Sequence, residues 1–159
     1  MNRSALLLLS TSLLVSCGGV PGPGTYTGTH AFAVLNGNWG HTNPINTPWV
    51  TLSSVTTPVC PDSRGSPSTP DREDIAFLLG KNRKLAVGVV TLTELDAENH
   101  GAIRVSYAGG NPTYPDGSKS GSVTIDTMTE TSLTGSFTIQ FAKGGEASGS
   151  FNLGAPCVF

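Results

Sequence analysis

The stretch Leu133-Thr-Gly-Ser-Phe137-Thr-Ile-Gln-Phe141-Ala-Lys-Gly-Gly-Glu146-Ala-Ser-Gly-Ser-Phe151-Asn-Leu153 decides the fold class. Leu133, Gly135, Phe137, Ile139 and Phe141 alternate with Thr134, Ser136, Thr138 and Gln140. After Lys143-Gly144-Gly145-Glu146, Ala147, Gly149, Phe151 and Leu153 alternate with Ser148, Ser150 and Asn152. A period of two puts successive side chains on opposite faces of a strand, so the stretch is a hairpin with one apolar face and one hydroxyl-rich face.

The same alternation places strands at Val123 and Ile125, at Ile103, Val105 and Tyr107, over Leu85 to Leu92, at Val50 and Leu52, and from Tyr26 to Leu35. Thr69 to Gly80 carries two patterns. Pro70 and the acids Asp71, Glu73 and Asp74 suit a helix start, whereas Ile75, Phe77 and Leu79 alternate as a strand; the β context favours the strand. Ser120-Gly121-Ser-Val, Thr134-Gly135-Ser-Phe and Ser148-Gly149-Ser-Phe repeat with their glycines fourteen residues apart. That spacing fits a three-stranded meander in which each strand is entered at a glycine that relieves crowding. Three stretches read as long loops: Asn36 to Pro48, Thr56 to Asp74, and Ala108 to Gly121. Loops of that length often carry function. The expected fold is all-β, an antiparallel β-sandwich (Ig-like or jelly-roll-like) of about 7–9 strands.

Composition narrows the function classes. Gly, Ser and Thr make up about a third of the 159 residues, and only 13% are charged. Nine basic against eleven acidic side chains leave a net charge of −2, the wrong sign for a phosphate-backbone binder, so no nucleic-acid partner is expected. The start of the chain reads as an address. Arg3 precedes a run from Ala5 to Val15 that includes Leu6, Leu7, Leu8, Leu9, Leu13 and Leu14. A charged start followed by a short apolar run and small residues is a secretory signal, too short for a span of roughly 20 residues.

Leu14-Val15-Ser16-Cys17 resembles the lipobox of bacterial lipoproteins. That resemblance implies a diacylglyceryl group on Cys17, cleavage before it, and acylation, palmitate for example, of the freed amine. Gly18 stands where an aspartate would resemble an inner-membrane retention signal, which favours the outer membrane. The expected organisation is a signal peptide over 1–16, the lipidated cysteine with a Gly/Pro tether over 17–24, and the β-domain over 25–159. A second resemblance, over about Val50 to Phe159, is to a recurring type of small bacterial lipoprotein β-sandwich domain. It rests on the proline-flanked Cys60, the glycine-led strands Thr134 to Thr138 and Ser148 to Asn152, and Cys157 near the end. It carries no catalytic residues across.

With Cys17 lipidated, Cys60 and Cys157 remain as an even pair in an exported chain and read as one disulfide. His30, His41 and His100 show no ligand spacing with them, so no metal and no cofactor is expected. GxSxG, SxxK, HExxH and GxxxxGK[ST] are all missing from the sequence. Glu94, Asp96 and Glu98 read as a solvated hairpin tip rather than a Ca²⁺ loop, because the DxDxDG spacing is missing. Gly37-Asn38-Trp39 resembles the lipocalin GxW, but its place after a strand undercuts the match. Phe159 resembles the end of an outer-membrane barrel, but Pro156 and the missing ten-residue lipid-facing strands argue against that.

The expected function is a non-catalytic binding or structural module of the cell envelope, held to the membrane by its lipid and facing an envelope protein or polysaccharide. The alternative is an envelope hydrolase or carbohydrate-active accessory domain using Trp39, His41 and Tyr114. That alternative requires the three side chains to meet in one pocket.

Overall fold

A computed structural model describes residues 23–42, 47–55, 72–80, 84–95, 98–106 and 113–157. The signal segment, Cys17 and Cys60 lie outside the described residues, as do the side chains of His41 and Tyr114. The described residues contain nine strands and no helix: β1 (Gly24–Gly28), β2 (Asn36–Thr42), β3 (Thr47–Ser53), β4 (Arg72–Leu79), β5 (Gly88–Leu92), β6 (Asn99–Ser106), β7 (Thr113–Met128), β8 (Leu133–Phe141) and β9 (Glu146–Leu153).

All nine strands pair antiparallel in one sheet, in the order β1-β9-β8-β7-β6-β4-β3-β2, with β5 added beside β7. β7 gives the sheet its shape. Its first residues, Thr113 to Gly117, pair with β6, and residues 118 to 128 pair with β8. Register shifts at Ile103/Val105 and Ser118/Ser120 mark the bend, since bulges increase local twist and turn a strand. Two layers result, β5-β7-β8-β9-β1 and β7-β6-β4-β3-β2, facing each other as in a sandwich but continuous through β7. The far side is drawn together by the C-terminal segment. Trp39 Nε1 donates to Gly154 O at 2.7 Å, Cys157 N donates to Trp39 O at 2.8 Å, and Gly40 and Cys157 form a parallel bridge. The sheet is therefore nearly closed.

The core lies between the layers. Phe77 of β4 meets Phe137 of β8 with ring centroids 4.8 Å apart, and Val50, Leu52, Ile75, Val123, Ile125, Leu133 and Ile139 are buried around them. β8 shows the alternation expected of it, with Leu133, Gly135, Phe137, Ile139 and Phe141 all inward. The meander of β7, β8 and β9 is present, but the repeated glycines are not strand entrances. They lie within strands, opposite bulky neighbours: Gly121 pairs with Ile139, Gly135 with Phe151, and Gly149 with Phe137 and Tyr26. A Cβ at Gly135 would come within 2.5 Å of the Phe151 ring, and one at Gly149 within 2.6 Å of the Phe137 ring. The rings of Phe137 and Phe151 thus each lie over the glycine of the other's strand, β8 and β9.

Three readings of the sequence are corrected. The strand from Tyr26 ends at Gly28, because His30 takes a left-handed φ of 59° and turns the chain. Phe32 and Val34 still pack on the core, so their alternation survives without a pairing partner. Asn36–Thr42 is not a loop but β2, paired residue by residue with β3. Its glycines are required by close approach: a Cβ at Gly37 would lie 2.5 Å from Leu153 Cδ2. Thr113 to Gly121, also read as loop, is the first half of β7. β4 is a strand over Arg72–Leu79, as its alternation indicates.

The glycine–ring pairs set an expectation. Gly135→Val and Gly149→Val each force a side chain into an occupied ring site and lower stability by about 1–3 kcal/mol. Gly154→Ala, where a Cβ meets nothing within 4 Å, changes it by less than about 0.5 kcal/mol. Urea unfolding midpoints of the three variants distinguish these outcomes; equal midpoints would remove the packing role of the repeat.

Candidate functional site

The richest polar cluster among the described residues sits at one mouth of the folded sheet, where β1 gives way to the connection ahead of β2. Asp116 reaches it from the first half of β7, on the same face as the core residues of neighbouring β6. Its side chain is 1% exposed, and a carboxylate so far from water needs compensating donors. It has three. Gly117 N and Lys143 N donate to Oδ1 at 2.9 and 3.3 Å, and His30 Nε2 lies 3.3 Å from Oδ2. His30 packs edge-on to Phe141, centroids 5.1 Å apart, which fixes the imidazole plane. Lys143 Nζ donates to Pro115 O, and Ala142 N to Gly117 O at 2.9 Å. Asp116 thus ties together three segments: the β1–β2 connection, the start of β7, and the β8–β9 turn.

Tyr26 completes the mouth. Its hydroxyl donates to Thr29 O at 2.9 Å, and its ring packs on Phe32 at 5.0 Å and on Phe137 at 5.8 Å. Burial, reinforced by the negative charges of Glu73 and Asp116, holds the phenol well above its ordinary value near 10. The phenol therefore stays protonated and keeps its proton for the bond to Thr29 O.

Beside Asp116 opens a cleft of about 510 Å³, lined by Glu94, Leu95, Pro115, Gly117, Ser118, Lys119 and Lys143 among others. Ser118, fully buried, forms part of the lining; its hydroxyl donates to Thr93 O and accepts from Gly101 N at 3.1 Å. The exposed charges at the rim, Glu94, Lys119 and Lys143, carry both signs. This arrangement suits a polar ligand held by paired donors and acceptors. A carboxylate-oriented imidazole is present, but the only hydrogen-bond partner His30 has among the described residues is Asp116.

The residues singled out from sequence fall elsewhere. Trp39 is 4% exposed and its indole N–H is taken by Gly154 O, so it is a core and closure residue rather than a ligand platform. β2, which carries His41, and β7, which carries Tyr114, are separated in the sheet by β6, β4 and β3. Cys157 is buried at the Gly40 bridge. Glu94 sits exposed after β5, while Asp96 lies outside the described residues. No group of three or more His, Cys, Asp or Glu among the described residues is placed to hold a metal. Sequence reasoning passed over His30 and Asp116 because 86 positions separate them and neither sits in a motif. A buried ion pair, Arg72 Nε to Asp74 Oδ1 at 2.7 Å, pins the start of β4.

Asp116→Ala leaves the His30 ring and two backbone N–H groups without their acceptor and lowers stability by about 1–3 kcal/mol, measured by denaturant unfolding at neutral pH. For Tyr26 the sign follows from proton counting. Above pH about 10 the unfolded chain loses the phenolic proton while the folded chain keeps it, so stability falls as pH rises. Tyr26→Phe removes that contribution to the alkaline decline, and at neutral pH costs about 0.5–1.5 kcal/mol for the bond to Thr29 O. An alkaline slope identical in wild type and variant would contradict this account. In comparisons with known proteins, no family model, no curated protein and no solved structure matches this chain.

Proposed function

We propose that this chain is a lipid-anchored protein of the bacterial cell envelope whose β-domain works as a binding module rather than an enzyme. The observation that carries the reading is Leu14-Val15-Ser16-Cys17 directly behind the apolar run. Two acyl chains suffice for stable anchoring, at about 0.8 kcal/mol per buried CH₂. β1 begins at Gly24, seven residues after Cys17. Seven residues of Gly/Pro-rich chain would reach about 15 Å, so the domain works close to the bilayer, with the outer membrane favoured. The ligand, an envelope protein or polysaccharide, meets the cleft beside Asp116, whose rim charges of both signs suit a polar partner.

A disulfide between Cys60 and Cys157 belongs to the same reading. It would close a loop of roughly 100 residues, for which the chain-entropy account gives about 4.7 kcal/mol before strain. The burial of Cys157 at the seam supports a structural role.

Cys17→Ala is expected to abolish incorporation of labelled palmitate and to move the protein from the membrane to the soluble fraction. Unchanged membrane retention would sink the anchor. For the staple, thiol titration of the denatured mature protein should find no free cysteine, and Cys60→Ser should lower stability by about 2–4 kcal/mol. Two titratable thiols in the native protein would overturn it.

A further inference from the structure

At one end of the layer β5-β7-β8-β9-β1 the strands finish in common rows. Gly88, Ile125, Gly135, Phe151 and Gly24 pair in register across all five strands. Beyond that row stand Thr127, Thr134 and Asn152, with Asn152 N donating to Pro23 O at 2.8 Å, and then Met128, Leu133 and Leu153. The chain coming from Cys17 therefore enters the domain at this end, through Pro23 and Gly24. Three of the four exposed large apolar side chains among the described residues are here too. Met128 ends β7, and Val87 and Val89, which flank Gly88 in the chain, are 63% and 66% exposed. Leu35, the fourth, precedes β2 in the other layer. Exposed apolar groups gathered in this way mark contact with a protein or a membrane.

We infer that this end docks on the lipid surface, with Val87, Val89 and Met128 seated where headgroups meet acyl chains. Docking of this kind presupposes the lipidated Cys17 proposed above. The point at which the chain joins the domain selects a bilayer over a protein partner. Seven residues of chain hold Gly24 within about 15 Å of the lipidated cysteine, so this end is the one a membrane reaches. Phe141, at the other end of β8 from Leu133, is about 27 Å away. From Gly24 to Gly88 the row crosses four strand spacings, about 19 Å. The anchor at β1 and the valines at β5 thus meet one plane at two separated points, which fixes a tilt that the tether alone leaves open. The cleft beside Asp116, with Ser118, Ala142 and Lys143 at the Phe141 end, then faces away from the bilayer.

Charge selects the lipid. Asp126 of β7 and Glu130 of the β7–β8 turn are exposed at this end, and neither its closing rows nor that turn contain Lys or Arg among the described residues. Anionic lipid surfaces attract basic segments and repel these carboxylates. The ammonium groups of phosphatidylethanolamine or phosphatidylcholine complement them.

Indole fluorescence of the mature lipidated chain, in phosphatidylcholine vesicles with brominated acyl chains as quencher, tests the docking. Palmitate labelling and co-flotation with the vesicles report the anchor separately. Val89→Trp and Met128→Trp are expected to be quenched, whereas Glu146→Trp, exposed at the far end, is not; buried Trp39 and Trp49 set the wild-type background. Val87→Ser with Val89→Ser lowers the docking equilibrium about tenfold per valine, read as lost quenching of Met128→Trp with flotation unchanged. At low salt, phosphatidylglycerol vesicles weaken the quenching, and Asp126→Asn with Glu130→Gln restores it. An anchored chain with no quenching at position 89, or with equal quenching at 89 and 146, overturns the docking and leaves the anchor standing. Stronger quenching in phosphatidylglycerol overturns it as well. Shielding of position 89 from aqueous iodide without quenching by the brominated lipid assigns this end to a protein partner and has the same force. A mature chain that carries no lipid and does not float overturns both.

Discussion

A sheet with one apolar face and one hydroxylated face buries the first only by folding over on itself, and β7 makes that possible in this chain. At sixteen residues it is long enough to pair with β6 in one layer and with β8 in the other. Its register shifts supply the bend. Apolar burial between the layers, at about 25 cal/mol per Å² removed from water, is the dominant favourable term. Without the crossing of β7 the Phe77–Phe137 contact that joins the two layers would not exist.

The polar cluster at the mouth follows from the same geometry. Asp116 shares the core-facing side of the sheet at the point where β7 passes between layers, so its carboxylate is buried whether or not it has a partner. His30, Gly117 and Lys143 satisfy it, and in doing so they fix the segments that frame the cleft. Buried polar networks specify an arrangement more than they add net stability. Here the arrangement is a mouth closed by Tyr26 and Phe32, with charged groups of both signs at its rim.

The parts of the fold that were legible in the sequence are those where side-chain chemistry and pairing agree. β8 and β9 declare themselves by Phe137, Ile139, Phe141 and Phe151 against Ser and Thr. β2 and the first half of β7 do not, because Asn36-Gly-Asn-Trp-Gly40 and Pro115-Asp-Gly-Ser-Lys119 have turn-like composition. Their strand state comes from neighbours already in place: β3 supplies a full ladder to β2, and the bulk of Leu153 leaves room only for Gly37. The opposite error, extending the first strand to Leu35, arose because Phe32 and Val34 face the core without a strand to pair with. The site was less legible than the fold. Trp39, the most conspicuous loop aromatic, turned out to seal the sheet, and the His30–Asp116 pair joins residues with no local signature.

By itself, the sequence determined the all-β class, the β7–β8–β9 meander and the strand state of β4, since a period of two needs no partner to be read. The tertiary structure alone decided that the layers stay continuous through β7, that Trp39 is interior, and that Asp116 meets His30. Those outcomes depend on which surfaces are brought together across the chain, and packing at such distances leaves no periodic trace in the residues that take part.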